Sequence, residues 1–283
     1  MVSIIIPAHN EANVIRRCLE GMIWGARPDE LDIIVVCNGC RDRTAELAHS
    51  CGPGIRVIET NTPSKANALN LGDEAAVAFP RFYVDADVVI GIDAIRQTTA
   101  VLEEPGVLAA APLMEVDTGA RSWSVRAFYR VWLRLPYCRE ALIGSGVYAL
   151  SEVGRRRFDR FPIVTADDAF VRLHFTRDER RAVPGCIFTV RPPKTLSGIV
   201  DIKTRAHFGN VELRLQCPAL WRNENASHGG ALLRMALSPT MWPALLVYGY
   251  VKLATRYRVW KRFRNGELNK WERDESAREI GGT

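Results

Sequence analysis

FYVDADVVIG, residues 82–91, places two aspartates directly after an apolar segment. Side chains alternate between the two faces of an extended strand, so Asp85 and Asp87 point the same way if the strand continues through them. Two parallel carboxylates repel each other unless a cation lies between them. The stretch therefore predicts a metal site at the carboxyl end of a strand.

Strand and helix patterns alternate on both sides of this stretch. The apolar run at residues 31–36 is typical of a strand buried on both faces, whereas residues 11–24 carry apolar side chains at helical spacing. The same criteria predict strands over residues 3–7, 55–58, 81–84 and 107–111, and helices over residues 41–50, 65–78 and 91–102. Such alternation predicts right-handed βαβ units and a mostly parallel sheet.

The second half of the chain has less regular patterns. They predict a basic, aromatic helix over residues 122–135, a strand over 145–150, a helix over 167–175 and a strand over 187–191. From Thr195 onward helices predominate. Pro192 and Pro193 mark the expected boundary between an α/β body and a C-terminal helical region.

Polar segments follow three of the predicted strands. They lie at residues 9–11, 37–42 and 85–87. Open sheets of this type bind ligands at the carboxyl ends of their strands. We therefore expect these segments to form one site.

Composition and charge bound the class of protein. A chain of 283 residues that is 47% hydrophobic and 25% charged has the makeup of a globular protein with a sizeable core. Its net charge is +6, and basic clusters occur in the second half at residues 155–160, 177–181 and 256–264. This asymmetry indicates either an anionic partner, such as a membrane surface, a phosphorylated substrate or nucleic acid, or a solvated basic face. No helix-turn-helix, zinc-finger or RNA-binding aromatic motif supports nucleic acid.

The seven cysteines are scattered and odd in number, which favours reduced thiols and a cytoplasmic protein. Cys37 and Cys40 form a CxxC pair, but Cys51 has no fourth ligand near it in sequence, so a structural zinc is not expected. The N-terminus lacks a basic region followed by a long apolar run. It predicts a first strand and not a signal peptide.

Six short segments follow one another along the chain in this order: SIIIPAHNE, VVCNGCRDRT, SKANALNLG, YVDADV, IGSGVYALS and TADDAFV. Together they resemble the family 2 glycosyltransferases of the GT-A fold, over residues 2 to 210. The resemblance implies an α/β, Rossmann-like catalytic domain over residues 1–192 and a helical region over 193–283. It also implies inverting transfer of a sugar from a nucleotide-diphosphate sugar to a hydroxyl acceptor.

By this resemblance, Asp85 and Asp87 of the chain correspond to the family's metal-binding Asp-x-Asp pair. The resemblance implies Mg²⁺ or Mn²⁺, held by carboxylates on one side and by substrate phosphates on the other. The metal neutralises the diphosphate leaving group. The ordinary alternative is an acid that caps the helix beginning near Gly91 or Asp93.

The loop after the first strand matches the family's Pro-x-x-Asn-Glu through Pro7, Asn10 and Glu11, and the resemblance places it, with His9, beside the nucleoside. A turn with Asn10 as a helix cap is the alternative. Lys65 and Asn70 match the Lys-Ala-x-Ala-Leu-Asn segment. A lysine at a helix start can reach a diphosphate.

Asn38 and Asp42 fall in the family's Asp-Asp-Gly-Ser-x-Asp-x-Thr region, where this chain departs from the pattern. Cys37 and Asn38 replace the aspartates, and Cys40 replaces the serine. An aspartate accepts from the imide N–H of uracil, whereas an asparagine both accepts and donates. UDP is the first expectation for the donor nucleotide, and GDP and dTDP stay open. Asp42 is also an ordinary charge at a helix N-terminus.

Asp167 and Asp168 resemble the family's Glu-Asp pair. By position Asp168 is the base that accepts the proton of the acceptor hydroxyl, and Asp167 is its neighbour. Adjacent buried acids raise the pKa of one of them, which suits a base near neutral pH. A helix-capping pair is the alternative. The sequence Gly144-Ser145-Gly146 lets the backbone approach the acceptor closely.

Arg205 lies where processive relatives carry Gln-x-x-Arg-Trp. The sequence here, IKTRAHFGN, keeps the arginine and lacks the glutamine and the tryptophan. It therefore favours addition of a single sugar. Arg205 reaches the diphosphate in this interpretation, with His207 beside it, and both are helix-surface residues in the alternative.

An apolar run at residues 241–254 is broken by Pro243 and Lys252 and is shorter than the roughly 20 residues that span a bilayer. It continues into TRYRVWKRFR, an aromatic and basic sequence suited to an anionic interface. We expect a peripheral or partly embedded helix at the inner face of the cell membrane. A helix buried against the catalytic body is the alternative. The basic aromatic stretch at 123–135 adds a lipid-linked acceptor or a cell-envelope glycan to the acceptor classes.

Two other functions compete with glycosyl transfer. A sugar-phosphate nucleotidyltransferase shares a similar sheet and metal-binding acids, but it needs a glycine-rich phosphate loop that PAHNEANVIRR lacks. A catalytically degenerate membrane scaffold is favoured by the substitutions at Cys37 and Asn38. The intact Asp85, Asp87 and Asp168 oppose it.

Overall fold

The computed structural model describes residues 1–139, 142, 146–223 and 229–265. Within these ranges the chain forms two compact units. The first contains the described residues of 1–115, 140–163 and 167–190, and the second those of 116–139, 164–166 and 191–265.

The described residues contain seven strands: β1 (Val2–Ala8), β2 (Leu31–Asn38), β3 (Ile55–Thr60), β4 (Arg81–Val84), β5 (Ala109–Val116), β6 (Val147–Leu150) and β7 (Arg180–Val190). They form one sheet in the order β3-β2-β1-β4-β6-β5-β7. Strands β3, β2, β1 and β4 are parallel, and β6 runs antiparallel to β4 and β5. The predicted α/β fold with a mostly parallel sheet is confirmed.

Ten α-helices lie in the same ranges: α1 (Ile15–Ile23), α2 (Thr44–Ser50), α3 (Lys65–Ala75), α4 (Ile92–Leu102), α5 (Trp123–Trp132), α6 (Glu152–Arg155), α7 (Asp167–Leu173), α8 (Leu196–Gln216), α9 (Gly229–Ala236) and α10 (Trp242–Asn265). Short 3₁₀ segments follow at Pro136–Arg139, Pro218–Asn223 and Pro239–Met241.

The centre of the first unit is β1, whose residues are all buried. Ile4 and Ile6 project to one face of the sheet and Ile5 to the other, because side chains alternate along a strand. A Cβ atom at Gly72 of α3 would lie only 2.4 Å from the Ile5 side chain. Glycine therefore allows α3 to approach β1 closely, and this approach sets the place of Lys65 at the start of α3.

In the second unit α10 packs against α5 and α8. Phe128 of α5 stacks on Tyr248 of α10, with 5.7 Å between ring centroids. The Lys203 ammonium of α8 lies 4.0 Å from the centroid of the Trp132 ring. An aromatic pair and a cation–π contact are thus part of the packing of this unit.

Several element ends differ from prediction for local reasons. Helix α1 begins at Ile15 and not at Glu11, because the Glu11 backbone N–H donates to the Thr44 hydroxyl at 2.8 Å and holds the preceding loop against α2. Strand β7 begins at Arg180, seven residues before its predicted start at residue 187. Pro184 and Gly185 argue against a strand, but β7 lies at the edge of the sheet, where proline is tolerated.

Among the described helices, none is by itself long and apolar enough to cross a bilayer. The pair formed by Gly229–Ala236 and Pro239–Asn265 meets that test of length and composition only when both are taken together, and it is bent by 111°.

Candidate active site

Lys65 connects the acids of two predicted site segments. Its ammonium lies 2.8 Å from Asp85 Oδ1 and 3.0 Å from Asp167 Oδ2. Lys65 is the first residue of α3, and the preceding Ser64 caps the helix by accepting from the Asn67 N–H at 3.2 Å. The cap fixes the helix start, so the lysine stem leaves the helix at a defined place between β4 and α7.

The aspartates of the opening stretch lie on a turn, which corrects the expectation of an extended strand. Strand β4 ends at Val84, and the Val88 N–H donates to the Asp85 carbonyl at 3.0 Å. Strand alternation therefore does not orient the two side chains. Asp85 is half-buried against Lys65, and Asp87 is exposed.

Gly146 supports this turn from β6. Its carbonyl accepts from the Asp85 N–H at 2.7 Å, and its φ is +64°. A Cβ atom at Gly146 would lie 2.9 Å from Val88 and 3.1 Å from Asp85 Oδ2. The glycine thus allows close approach to the acids. The other two predicted acceptor residues, Gly144 and Ser145, lie outside the described residues.

Asp167 and Asp168 begin α7 in different environments. Asp167 is buried, and burial raises the pKa of its carboxyl to about 6. The Lys65 charge opposes this rise in pKa, and the charges of Asp168 and Asp85 add to it. Asp168 is half-buried, and its Oδ1 accepts from the Ala169 N–H at 2.8 Å. The more accessible carboxylate of the pair is therefore Asp168.

Burial lowers the pKa of the Lys65 ammonium, but the carboxylates of Asp167 and Asp85 raise it by more, so the net pKa lies above the usual range. Lys65 therefore stays charged at neutral pH. The ammonium forms ion pairs with Asp85, in the turn after β4, and with Asp167, at the start of α7.

The loop after β1 is joined to the loop after β2. His9 Nδ1 forms a hydrogen bond with the Asn38 carbonyl, and Asn10 Oδ1 accepts from the Arg41 N–H at 2.8 Å. Asn10 has a φ of +54°, the left-handed conformation that asparagine tolerates. The Asn10 N–H points at the Cys40 sulfur, 3.4 Å away. The predicted nucleoside loop is thus an ordered double loop.

The polar residues of this double loop hold its backbone. The Asn38 side chain is buried and donates from Nδ2 to the Ala8 carbonyl at 2.8 Å. Asp42 accepts from the N–H groups of Ala12 and Thr44, each at 3.1 Å, and from the Thr44 hydroxyl. Asp42 thus acts as an acid at a helix N-terminus, the alternative role expected from the sequence. Pro7 is a buried residue of β1, and Glu11 is also buried.

Asn70 ties α3 to the segment that leads into α7. Its Nδ2 donates to the Phe161 carbonyl at 3.0 Å, and its Oδ1 accepts from the Phe161 N–H at 2.9 Å. Its amide group thus positions the chain a few residues before Asp167. Arg205, the remaining predicted residue, is half-buried on α8 in the second unit.

Two features near the acids were missed in the sequence. Asp73 of α3 is buried and paired with Arg81 at 2.8 Å and Arg155 at 2.6 Å, and it accepts from the Tyr83 hydroxyl at 2.5 Å. Tyr148 of β6 stacks on Tyr83, with 4.9 Å between ring centroids. Burial raises the pKa of the Tyr148 hydroxyl, and Asp167 contributes to the rise. Both features join residues that are far apart in the sequence, so they become visible only in the folded structure.

The acids of the turn suit a hard divalent cation. Burial raises the pKa of the Cys18 thiol, and the charges of Asp87 and Asp85 raise it further, so both carboxylates act on one region. Among the described residues, no three His, Cys, Asp or Glu side chains are arranged to hold a metal by themselves. Two carboxylates plus phosphate oxygens of a substrate provide the oxygen ligands that Mg²⁺ or Mn²⁺ prefers.

The comparisons with known proteins decide the family. Residues 3–154, more than half of the chain, match Glycosyl transferase family 2. The chain belongs to glycosyl transferase family 2. This membership supports a glycosyltransferase enzyme.

Two curated relatives carry names of the same kind. The family 2 chain is 39% identical over 79 residues to "Probable glycosyltransferase YdaM" of Bacillus subtilis, a match over 25% of this chain and 19% of the relative. It is 27% identical over 141 residues to "Uncharacterized glycosyltransferase YibD" of Escherichia coli, over 48% of this chain and 38% of the relative. The chain thus matches less than two fifths of either relative.

Solved structures show the GT-A fold. Mannosyltransferase PcManGT from Pyrobaculum calidifontis, in complex with GDP-Man and Mn²⁺, has a TM-score of 0.60 at 21% identity, covering 94% of this chain and 79% of its own. Glucosyl-3-phosphoglycerate synthase from Mycobacterium tuberculosis, in complex with Mn²⁺ and UDP-glucose, has a TM-score of 0.53 at 18% identity, covering 77% and 79%. Fold class and family are as predicted.

Proposed function

We propose that this chain transfers a single sugar, with inversion, from a nucleotide-diphosphate sugar to a hydroxyl acceptor. A UDP-sugar is the first donor to test, with Mg²⁺ or Mn²⁺ as cofactor. The observation that carries the proposal is the Lys65 ammonium between Asp85 and Asp167. It joins the acids of the metal-binding turn to the acids of the transfer step.

On the donor side, Asp85 and Asp87 hold the cation, which supplies Lewis-acid neutralisation of the diphosphate leaving group. Lys65 supplies a permanent positive charge beside the same phosphates. The double loop of residues 9–11 and 37–42 borders the nucleoside. Its internal hydrogen bonds keep its shape before the donor arrives, which lowers the ordering cost of binding.

On the acceptor side, Asp168 acts as general base. It takes the proton of the acceptor hydroxyl as that oxygen attacks the anomeric carbon, and the bond from carbon to phosphate oxygen breaks with its electron pair leaving on the diphosphate. The greater exposure of Asp168 supports this role over Asp167, which is buried against Lys65. Attack opposite the leaving group inverts the anomeric configuration.

The donor class is supported by the complexes of the structural neighbours with UDP-glucose and with GDP-Man. They leave the base open, as does Asn38 at the position of the family aspartate. One neighbour is in complex with phosphoglyceric acid as well as UDP-glucose. For this chain we propose a hydroxyl acceptor that is lipid-linked or part of a cell-envelope glycan.

Titration calorimetry with UDP, GDP and dTDP, each with and without Mn²⁺, tests the donor site. We expect one nucleotide to bind in a metal-dependent way, and Asp87→Ala to remove both the metal requirement and turnover because the cation loses an oxygen ligand. Asp93→Ala, which removes an exposed acid of α4, is the matched control and should bind as the wild type. Absence of metal-dependent binding for all three nucleotides would support the degenerate scaffold instead.

A further inference from the structure

Helix α10 has two apolar faces. Its buried face consists of Ala244, Tyr248, Val251, Thr255 and Val259. These positions repeat every three or four residues, the spacing of one helical face. Since α10 packs against α5 and α8, this face accounts for its place in the second unit.

The opposite face carries a row of large exposed side chains, here called the aromatic stripe: Trp242, Leu246, Tyr250, Leu253, Tyr257 and Trp260. Each is between 53% and 75% exposed. At about 100° per residue they fall within a sector of about 80°, and at about 1.5 Å per residue they extend over about 27 Å. A continuous exposed apolar row of this size marks an interaction surface.

The chain around the stripe is uniformly basic. Residues 229–265 contain seven lysines and arginines and neither aspartate nor glutamate. Arg258 is paired with Asp201 of α8. At the end of the stripe, the Arg264 guanidinium lies 5.4 Å from the centroid of the Trp260 ring. The stripe is therefore bordered by positive charge that acids of its own segment do not neutralise.

One flank of α10 concentrates this charge further. Burial lowers the pKa of His207 on α8, and the nearby charges of Lys252 and Arg256 lower it again. Burial and Arg256 also lower the pKa of Lys252. Mutual repulsion between Lys252 and Arg256 would be relieved by an anion, so this flank favours an anionic partner.

Helix α9 and the residue that follows it also expose large apolar side chains. Leu233 and Leu237 are 68% and 79% exposed. The Trp242 indole N–H donates to the Ala236 carbonyl at 2.9 Å and fixes the end of α9 to the start of α10. Because the two helices are bent relative to each other, they do not form one continuous apolar helix.

We propose that the aromatic stripe of α10 inserts into the interfacial region of an anionic lipid bilayer, with the helix lying along the surface. Tryptophan and tyrosine, four of the six stripe residues, are the side chains that favour the headgroup level. The lysines and arginines contact anionic headgroups. A second copy of this chain fits less well, because its stripe would bring a second basic segment, with seven lysines and arginines and no acid, against the first.

The test is flotation of the full chain with vesicles of phosphatidylcholine alone and of phosphatidylcholine with phosphatidylglycerol. We expect binding to the anionic vesicles only, weakened by salt. Leu246→Ser with Leu253→Ser should lower this binding by at least about tenfold, because two apolar side chains no longer insert. Trp24→Ser with Ile163→Ser, which removes equally exposed apolar side chains of the first unit, is the matched control and should bind normally.

A charge variant separates the two contributions. Lys261→Gln with Arg264→Gln should weaken binding to anionic vesicles while leaving thermal unfolding unchanged, since both side chains are exposed. Equal binding to both vesicle types would overturn the role of charge. Unchanged flotation of the stripe variant, together with its conversion of a dimer to a monomer in sedimentation equilibrium, would assign the stripe to a second copy. None of these readouts depends on catalysis, so they stand apart from the proposed transfer reaction.

Discussion

At the scale of single residues, two adjacent acids of identical type, Asp167 and Asp168, differ in their surroundings. Asp167 is enclosed and paired with Lys65, whereas Asp168 is half-buried. Burial of a carboxylate without full compensation favours its protonated form. In the proposed reaction, the start of α7 therefore offers Asp167 for positioning and Asp168 for proton transfer.

The division of roles gives a prediction about turnover. Asp168→Asn keeps the side-chain shape and loses proton acceptance, so we expect turnover to fall by at least ~100-fold with donor affinity nearly unchanged. Steady-state rates and calorimetry measure the two quantities. Asp178→Asn, at an exposed acid of the same unit, is the control. If Asp167→Asn instead keeps donor affinity and loses turnover, the base is Asp167.

The raised pKa of Asp167 gives a prediction about stability. The folded protein holds this proton more tightly, with a pKa of about 6 against an ordinary value of 3.8. The contribution is therefore complete below pH 3.8 and is lost as the pH rises through about 6. We expect the unfolding free energy of the wild type, relative to Asp167→Asn, to fall between these pH values in urea titrations. A difference that does not vary with pH would contradict the assignment.

At the scale of elements, α3 is the part of the first unit that connects most of the site. It begins with Lys65, holds the segment before α7 through Asn70, and ends near Asp73, which is paired with two arginines. Gly72 brings the helix close to β1. A displacement of α3 would therefore move the ammonium away from both of its carboxylates.

Asp73 is the residue whose loss would test this arrangement. Asp73→Ala leaves Arg81 and Arg155, whose side chains are only 15% and 12% exposed, without their carboxylate, so we expect about 3–5 kcal/mol less unfolding free energy. Asp93→Ala is again the control, since it breaks a surface pair worth about 0–1 kcal/mol. Urea unfolding measures both. A loss for Asp73→Ala no larger than for Asp93→Ala would show that the network does not hold α3.

How well each element can be predicted from the sequence depends on whether local or long-range contacts determine it. Local periodicity was sufficient for β1, β2 and α4, where apolar spacing decides the structure. It failed at β7, whose edge position tolerates Pro184, and at the turn of Asp85, whose N–H donates to the distant Gly146 carbonyl. The Asp73 network joins residues up to 82 positions apart, and no spacing rule reaches that far.

At the scale of the whole molecule, the acids of the proposed site and the basic segment around the aromatic stripe belong to different units. The acids of the proposed site lie in the first unit, and the segment 229–265 of the second unit is basic throughout. The net charge of +6 is therefore unevenly distributed, and the proposals above assign these two regions different anionic partners. The composition of the sequence indicates an anionic partner but does not distinguish a diphosphate from a lipid. In the proposals above, the diphosphate binds at the acids and Lys65 of the first unit, and the lipid binds at the aromatic stripe of the second.

In the proposed reaction, the ion pairs of Lys65 with Asp85 and Asp167 also bear on the order in which substrates bind. In the proposed reaction the arriving diphosphate competes with Asp167 for Lys65, and this competition must be resolved before proton transfer beside Asp168. We therefore expect a compulsory order in which the nucleotide-sugar enters first and the nucleoside diphosphate leaves last. Product-inhibition kinetics should show the nucleoside diphosphate competitive against the donor and noncompetitive against the acceptor. Random-order patterns would mean that Lys65 does not govern entry, and the chain would then accept either substrate into an equally prepared site.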